Sequence, residues 1–354
     1  MFFPYAYYGR YPRFYAYFDC IIVELCINYE YYKIFLNNYA KMLAFSVRVA
    51  YNDTILKFKE VKEMKKFMIA LVALIAAFTC VFATACNGGK VKIGVQTGTT
   101  GEFYVKGNAD MMFDGYPNVE CMAYNNGGLA VNAMLNGQID YVIIDNGPAA
   151  QLVAQNSEIK MIDIPLSTEE YAFGVDKNQP ELLNSVNAFI DKIKADGTLD
   201  ALFEKYNALE YDDEGNVIGG DEAITGVESA AKDTANAAGQ LVVATNAAFA
   251  PYEYKKGDKF VGIDMEIAKM IADELGLQLV IEDMDFDAVV TSVGLNGVDI
   301  AMAGLTVTET RKQSVNFSKA YYEGAYQVLI VKADNTEFDS CKTKEDVENI
   351  LKNK

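Results

Sequence analysis

Two stretches of the sequence share one design, and this repeat constrains the fold more than any other feature. Residues 135–145 read LNGQIDYVIID, and residues 295–304 read LNGVDIAMAG. In both, an Asn-Gly turn leads from a helical pattern into an apolar stretch that reads as a buried strand. Ligands of open α/β sheets lie outside the carboxyl ends of the strands. The repeat therefore predicts two similar α/β lobes that face one cleft.

The second of these strands continues into a loop, up to Ser318, whose residues suit a small carboxylate. Gly304 lacks a side chain and allows another group to approach the backbone closely. Thr306 and Thr308 offer hydroxyls, and Arg311 adds a guanidinium that donates to carboxylates in a fork. The alternative, from spacing alone, is that Arg311 is a solvated residue of a helix's first turn and that the threonines are helix caps.

Composition and charge exclude several classes of function. The chain has 354 residues, a net charge of −18 and no histidine. The acidic excess argues against nucleic-acid binding, because phosphates need a cationic face. Without histidine, Ser–His–Asp and Cys–His mechanisms lose their usual base. The six cysteines show no zinc-ligand spacing, so we predict no metal, no cofactor and no disulfide framework.

The N-terminal region differs in composition from the rest, since eleven of the 23 tyrosines fall within residues 1–63. Met64 then opens a segment with two lysines, an apolar run and small residues before Cys86. This is the layout of a bacterial lipoprotein signal peptide, with Cys86 as the residue that carries the lipid. We predict that 1–63 is not part of the mature protein and that 64–85 is the signal peptide. The alternatives are an aromatic membrane-associated leader and an uncleaved anchor.

An α/β pattern occupies the remainder, in two blocks separated by a segment that holds few large apolar side chains. Gly197 is predicted to end the helix that begins at Pro180, and Thr198 is predicted to cap the next helix. The predicted division is 86–176 for a second lobe, 177–208 for two helices packing on a first lobe, 209–239 for a linker, 240–332 for the first lobe, and 333–354 for a terminal segment that returns to the second lobe.

Several long stretches resemble the type II solute-binding proteins of bacterial ABC transporters, in the polar amino-acid subfamily. They include VATNAAFAPYEY, GIDMEIAKMIADELG and AMAGLTVTETRKQSVNFS for the first lobe, and KIGVQTGTTGE, LNGQIDYVIID and EEYAFGVDKNQPELL for the second. The resemblance covers nearly everything from Lys90 to Lys354 except the linker. It implies a two-lobed, periplasmic-binding-protein-like type II α/β fold with a hinge.

The order of the two halves departs from that family, in which the VATN half precedes the GVQTGTTGE half. The fold is therefore predicted to be circularly permuted, with the linker joining the family's original ends. The alternatives are a fragment of two tandem binding proteins, which would be an inactive half-pair, and a domain-swapped dimer.

The resemblance also implies the residues of an amino-acid site. Arg311 would pair with the α-carboxylate and Asp145 would take the α-ammonium group. The other implied residues are Thr306, the N–H near Gly304, Thr99 and Thr100 for the carboxylate, Phe249 and Phe286 as walls for the side chain, and Asn246 and Tyr252 to tune which side chain is accepted. An amide at Asn246 in place of an acid favours a neutral or polar side chain. From the residues alone, Asp145 is expected to be a strand-end cap, and the two phenylalanines are expected to be ordinary core residues.

The implied function is an extracytoplasmic, lipid-anchored protein at the outer face of the bacterial cytoplasmic membrane. It would capture an amino acid and deliver it to the permease and ATPase subunits of an ABC transporter, and it is not expected to be an enzyme. The alternatives from other classes are a dehydratase-like extracytoplasmic enzyme on the same fold and a sensory ligand-binding module.

Overall fold

The computed structural model describes residues 90–211, 217–220 and 224–353. The tyrosine-rich leader, the predicted signal peptide and Cys86 lie outside the described residues. Within the described part, no helix combines the length and the apolar character needed to cross a bilayer.

Most of the strands belong to the two sheets that define the lobes. The strands are β1 (Val91–Gln96), β2 (Val119–Tyr124), β3 (Tyr141–Asp145), β4 (Ile159–Ile162), β5 (Glu169–Tyr171), β6 (Gly174–Asp176), β7 (Glu210–Tyr211), β8 (Val217–Gly219), β9 (Gln240–Thr245), β10 (Ala248–Phe249), β11 (Glu253–Lys256), β12 (Lys259–Val261), β13 (Gln278–Asp283), β14 (Ile300–Ala301), β15 (Val315–Phe317), β16 (Tyr322–Ala325) and β17 (Gln327–Lys332).

The helices cover the faces of the sheets or lead the chain into the cleft. They are α1 (Thr100–Lys106), α2 (Gly127–Leu135), α3 (Asn146–Ala154), α4 (Pro180–Ala195), α5 (Thr198–Asn207), α6 (Ile263–Leu275), α7 (Phe286–Ser292), α8 (Glu309–Lys312) and α9 (Lys344–Lys352), with a 3-10 turn at Thr234–Gly239.

Each lobe is built on a five-stranded sheet, and the two sheets have the same topology. The sheet of the second lobe has the order β2-β1-β3-β17-β4, and the sheet of the first lobe has the order β13-β9-β14-β6-β15. In each, three neighbouring strands are parallel and the fourth strand runs antiparallel to both of its neighbours. The two LNG repeats supply β3 and β14, which occupy the same place in their respective sheets.

The crossings between the lobes differ from the predicted boundaries at residues 176 and 332. β6 lies in the sheet of the first lobe, and β17 lies in the sheet of the second. The chain crosses before these strands, through β5 and β16, which pair antiparallel with each other and are called the hinge strands below. An apolar strand pattern reports burial and not the partner strand, so the sequence did not show which sheet each strand joins.

The two helices after β6 pack against the first lobe. Lys205 and Tyr206 of α5 each donate to Oε1 of Glu266 on α6, at 2.6 Å. The predicted caps between α4 and α5 are wrong by one residue. Asp196 is the C-cap of α4, and Gly197, with a φ of 81°, is the N-cap of α5. Asp196 and Gly197 make the whole connection, and the positive φ of Gly197 turns the chain, so Thr198 is already helical.

The central strands of the two sheets are buried along their whole length. All five residues of β3 and all six residues of β9 are buried. Strands covered on both faces read as continuous apolar runs, as YVII and LVVA do here. The carboxyl ends of these strands open towards the boundary between the lobes.

Candidate functional site

Arg311 reaches the boundary between the lobes from α8, just after the loop that follows β14. The side chain of Thr308 caps this helix by accepting from the Arg311 N–H at 3.1 Å. The alternative predicted for the threonines is therefore correct for Thr308. It is wrong for Arg311, which is not a solvated residue because it is only 9% exposed.

The Arg311 guanidinium is held by two backbone carbonyls that belong to different lobes. Nη1 donates to the carbonyl of Thr306 at 2.7 Å, and Nη2 donates to the carbonyl of Gly98 at 3.1 Å. Its Cζ lies 5.3 Å from the ring centroid of Phe286. Burial lowers the pKa of Arg311 to about 10, against the opposing charges of Glu169 and Asp145. A guanidinium carries five N–H groups, so donors remain for an anionic ligand.

Asp145 ends β3 and lies on the opposite lobe, 4% exposed. It precedes α3, but its side chain makes no capping bond, so the strand-end cap is not its role. Its Oδ1 accepts from the hydroxyl of Tyr171 at 2.6 Å. Burial, followed by the charge of Glu169, raises the pKa of Asp145 to about 7. The carboxylate therefore lacks an adequate partner cation in this arrangement.

The three predicted threonines behave differently. Thr100 and Thr306 both donate to Oε2 of Glu169, at 2.7 and 2.6 Å. Thr99 is the N-cap residue of α1 and donates to the backbone carbonyl of Gln96 at 2.7 Å. The hydroxyl of Thr99 is thus engaged within its own loop, whereas the other two meet between the lobes.

Aromatic rings surround this polar centre. Tyr252 packs edge-on against Tyr171 with a centroid distance of 5.0 Å, and Phe249 lies 6.0 Å from Tyr252. Gly304 adjoins them, since a Cβ there would lie 3.0 Å from Cε1 of Phe249. Its φ of 52° also disfavours other residues. Of the two predicted walls, Phe249 lies in this aromatic group and Phe286 lies beside the guanidinium.

The backbone N–H of Gly304 is already engaged, because it donates to Oδ2 of Asp264 at 3.0 Å. Asp264 is fully buried on α6 next to Glu253, and neither residue was predicted to have a role at the site. Burial raises the pKa of Asp264 to about 7. A carboxylate that had to come close to Gly304 would need a neighbouring N–H group instead.

Asn246 connects the two lobes through both ends of its amide. Its Oδ1 accepts from Nε2 of Gln96 on the second lobe at 2.8 Å, and its Nδ2 donates to the carbonyl of Met284 at 2.8 Å. Further contacts of this kind join Asn125 to Asp285 and Thr310 to Asp110. The lobes therefore touch along the predicted cleft.

Sequence reasoning missed four residues of this centre, which are Gln96, Glu169, Tyr171 and Gln327. Glu169 and Tyr171 lie on the buried face of β5, with Glu170 exposed between them. In the sequence, YAFGVD reads as a strand candidate that begins only at Tyr171. A strand that begins two residues earlier, at Glu169, places Glu169 and Tyr171 on the same face, because side chains alternate along a strand.

The chemistry of this centre is that of binding. A buried guanidinium and a buried carboxylate, carried by different lobes, face one region lined by hydroxyls and aromatic rings. Such a region satisfies a small molecule that bears both charges. The two sheets, the hinge strands and this centre together define a two-lobed ligand-binding protein.

The family follows from comparison with known sequences. The model of the bacterial extracellular solute-binding proteins, family 3, matches residues 29–208 and 241–353. The chain belongs to this family. Its members are binding proteins and not enzymes, as the sequence analysis predicted.

Individual relatives match over parts of their length. The arginine-binding extracellular protein ArtP of Bacillus subtilis is 35% identical over 107 residues, which are 30% of this chain and 42% of that protein. A probable histidine-binding protein of Campylobacter jejuni is 31% identical over 124 residues, which are 35% of this chain and 47% of that protein. The matches thus span less than half of the length of these relatives. Among solved structures, the arginine-bound form of domain 1 from TmArgBP is 31% identical and covers 35% of this chain and 100% of that chain, with a TM-score of 0.24.

Proposed function

We propose that the protein captures one free amino acid between its lobes and presents it to an ABC transporter. The observation that carries the proposal is the meeting of Arg311 and Asp145, from different lobes, at one buried centre. Relatives named as arginine- and histidine-binding proteins support an amino acid as the ligand.

In the proposed complex, Arg311 pairs with the α-carboxylate and Asp145 pairs with the α-ammonium group. Thr306, Thr100 and N–H groups near Gly304 and Thr99 complete the polar shell, and Phe249, Phe286 and Tyr252 enclose the apolar part of the ligand. A zwitterion that leaves water needs both opposite charges at once. Only closed lobes supply both, so ligand binding shifts the hinge equilibrium towards closure.

The location and the partners are further parts of the proposal. Cys86, behind the signal-peptide pattern, would carry a lipid that anchors the protein outside the cytoplasmic membrane. The membership of an extracellular solute-binding family supports an extracytoplasmic location. The partners would be the permease and the ATPase subunits of the transporter.

The circular permutation also belongs to the proposal. Each sheet takes one strand from the other half of the chain, β6 in one case and β17 in the other. One chain that holds one copy of each half can therefore build both lobes. Light scattering on the purified protein should give the mass of a monomer, whereas a dimer would favour exchange of halves between chains.

The test of the function is binding itself. We expect at least one standard amino acid to raise the melting temperature of the purified protein, since a ligand that binds only the native state stabilises it. Arg311→Ala should then weaken binding by about 3–5 kcal/mol, because it leaves a buried carboxylate without its partner. The control is Lys312→Ala, which changes the next residue, an exposed cation paired with Glu309. Binding of no amino acid by the wild type, or equal binding by Arg311→Ala, would refute the proposal.

A further inference from the structure

Glu169, on the hinge strand β5, accepts four hydrogen bonds from side chains of both lobes. It is 5% exposed. Its Oε1 accepts from Ser167 Oγ at 2.6 Å and from Gln327 Nε2 at 3.0 Å. Its Oε2 accepts from the hydroxyls of Thr100 and Thr306 at 2.7 and 2.6 Å. Four donors around one carboxyl group are the environment of an ionised carboxylate, which only accepts.

The Glu169 carboxylate determines the direction in which the Thr100 and Thr306 hydroxyls donate their hydrogen bonds. These two threonines were expected to donate to the carboxylate of a ligand. A hydroxyl has one proton. Thr100 and Thr306 both give theirs to Glu169, so towards a ligand they present lone pairs only. The oxygen of Thr100 also already accepts from Gln327 Nε2 at 2.9 Å. The two hydroxyls therefore favour a ligand group that donates.

The charges of the site point in the same direction. Arg311 feels Glu169 and Asp145, and Glu169 in turn contributes to the raised pKa of Asp145, after burial. None of the ion pairs found among the described residues involves any of these three side chains. Once a ligand's ammonium group holds Asp145 in its ionised form, two carboxylates face one guanidinium, which leaves one negative charge in excess. A neutral zwitterion would leave that excess uncompensated, whereas a ligand of net charge +1 would neutralise it.

A second, independent observation concerns acceptors without donors. Gln96, at the carboxyl end of β1, is 2% exposed. Its amide nitrogen donates to Asn246, and its Oε1 has no hydrogen-bond partner among the described residues. Within the same part of the chain, the Oε1 of Gln327, beside Glu169, is also without a partner. Buried carbonyl oxygens in this position require N–H donors. A guanidinium or ammonium side chain supplies them, as a neutral amide also would, so the selection for charge rests on Glu169. Asn246, whose amide oxygen and nitrogen each already have a protein partner, gives no reason to expect a neutral side chain.

We infer that Glu169 sets the charge of this site so that it selects an amino acid with a cationic side chain. The inference rests on the proposed function. Glu169 acts as a specificity-determining residue at the hinge: it removes the hydroxyl protons of Thr100 and Thr306 from the ligand's reach and adds the negative charge that a cationic ligand neutralises.

The test compares L-arginine with L-citrulline, which has nearly the same shape but a neutral side chain. Calorimetry on the wild type should show arginine binding at least about 100-fold more tightly than citrulline. Glu169→Gln, which keeps the shape and removes the charge, should reduce this ratio at least about tenfold. Glu169→Asp keeps the charge and should retain a preference for arginine even if both affinities fall. Glu170→Gln, on the exposed face of the same strand, is the matched control and should leave the ratio unchanged.

The outcomes separate this inference from the proposed function. A purely structural role of Glu169 would change both affinities together and leave the arginine-to-citrulline ratio as in the wild type, which would overturn the inference. Binding of citrulline or glutamine in preference to arginine by the wild type would also overturn it, while the proposed function would stand. If no amino acid binds, both are wrong.

Discussion

Two buried aspartates, Asp145 and Asp264, resemble each other in burial and in pKa but differ in what surrounds them. Burial raises the pKa of each to about 7. Asp145 lies between the lobes, where Arg311 and Glu169 act on it, and it bonds to a side chain of a hinge strand. Asp264 lies within the first lobe and bonds to the backbone of Gly304. A raised pKa therefore reports desolvation in both cases, and only the neighbours distinguish a ligand-binding acid from a structural one.

The largest expected effect separates the two aspartates by ligand affinity. Asp145→Asn removes the charge that pairs with the ligand's ammonium group, so amino-acid binding should weaken by about 3–5 kcal/mol. Asp264→Asn should weaken it far less, because an asparagine oxygen still accepts from Gly304. Calorimetry with Asp258→Asn, an exposed position, as the control measures both effects. Equal losses for the two aspartates would break the distinction.

The second expected effect concerns stability against pH. The folded protein keeps a proton on Asp264 up to pH 7 or so, whereas the unfolded chain releases it near its ordinary pKa of 3.8. Because the native state binds more protons across this window, the free energy of unfolding falls as pH rises through it. The slope for this group is about 1.4 kcal/mol per pH unit.

Urea unfolding between pH 5 and pH 8 measures this slope. Glu253 and Tyr321 are the titratable groups that contact Asp264, and the pKa of each is also raised by burial. Asp264→Asn should remove the part of the pH dependence of the unfolding free energy that Asp264 contributes. Saturating ligand should instead remove the part that Asp145 contributes, since the ligand's cation keeps Asp145 ionised in the folded protein. A profile that is insensitive to both would contradict the raised pKa values.

The smallest expected effect tests the hydrogen bond that positions Asp145. Tyr171→Phe removes the 2.6 Å bond to Oδ1 and should weaken amino-acid binding by about 1–2 kcal/mol. Tyr326→Phe loses a comparable bond to Asp163 at the surface and serves as the control. An unchanged affinity for Tyr171→Phe would show that Asp145 is positioned by the backbone of β3 alone.

The comparison also shows how much the sequence could predict. As ligand partners, Asp145 and Arg311 stay predictions, and for Asp145 that role came from the family resemblance alone. Their positions at the cleft were predictable, because Asp145 ends one strand with a clear apolar pattern and Arg311 follows another, and the carboxyl ends of such strands meet a cleft. Glu169 was not, because its partners Thr100 and Thr306 lie far away along the chain and no local pattern reports them. Asn246 shows the same limit. Its amide was expected to face the ligand, but its bond partner Gln96 is 150 residues away.

For the fold as well, local patterns could be predicted and contacts between distant parts of the chain could not. The positions of β3 and β14 could be predicted from the LNG repeats, because each repeat is a local unit of helix, turn and strand. The sequence could not predict which sheet β6 and β17 each belong to, because strand pairing across the hinge depends on contacts between distant parts of the chain. The sequence alone thus predicts what each lobe is made of and leaves open where the chain crosses between them.

The central claim is that Arg311 holds the α-carboxylate of an amino acid whose ammonium group faces Asp145. Its most direct test is the affinity of the wild type and of Arg311→Ala for arginine and for agmatine, which is arginine without its α-carboxylate. The wild type should prefer arginine by at least about 100-fold, and Arg311→Ala should lose nearly all of that preference. A preference that survives in Arg311→Ala would mean that another group binds the carboxylate, and it would contradict the account.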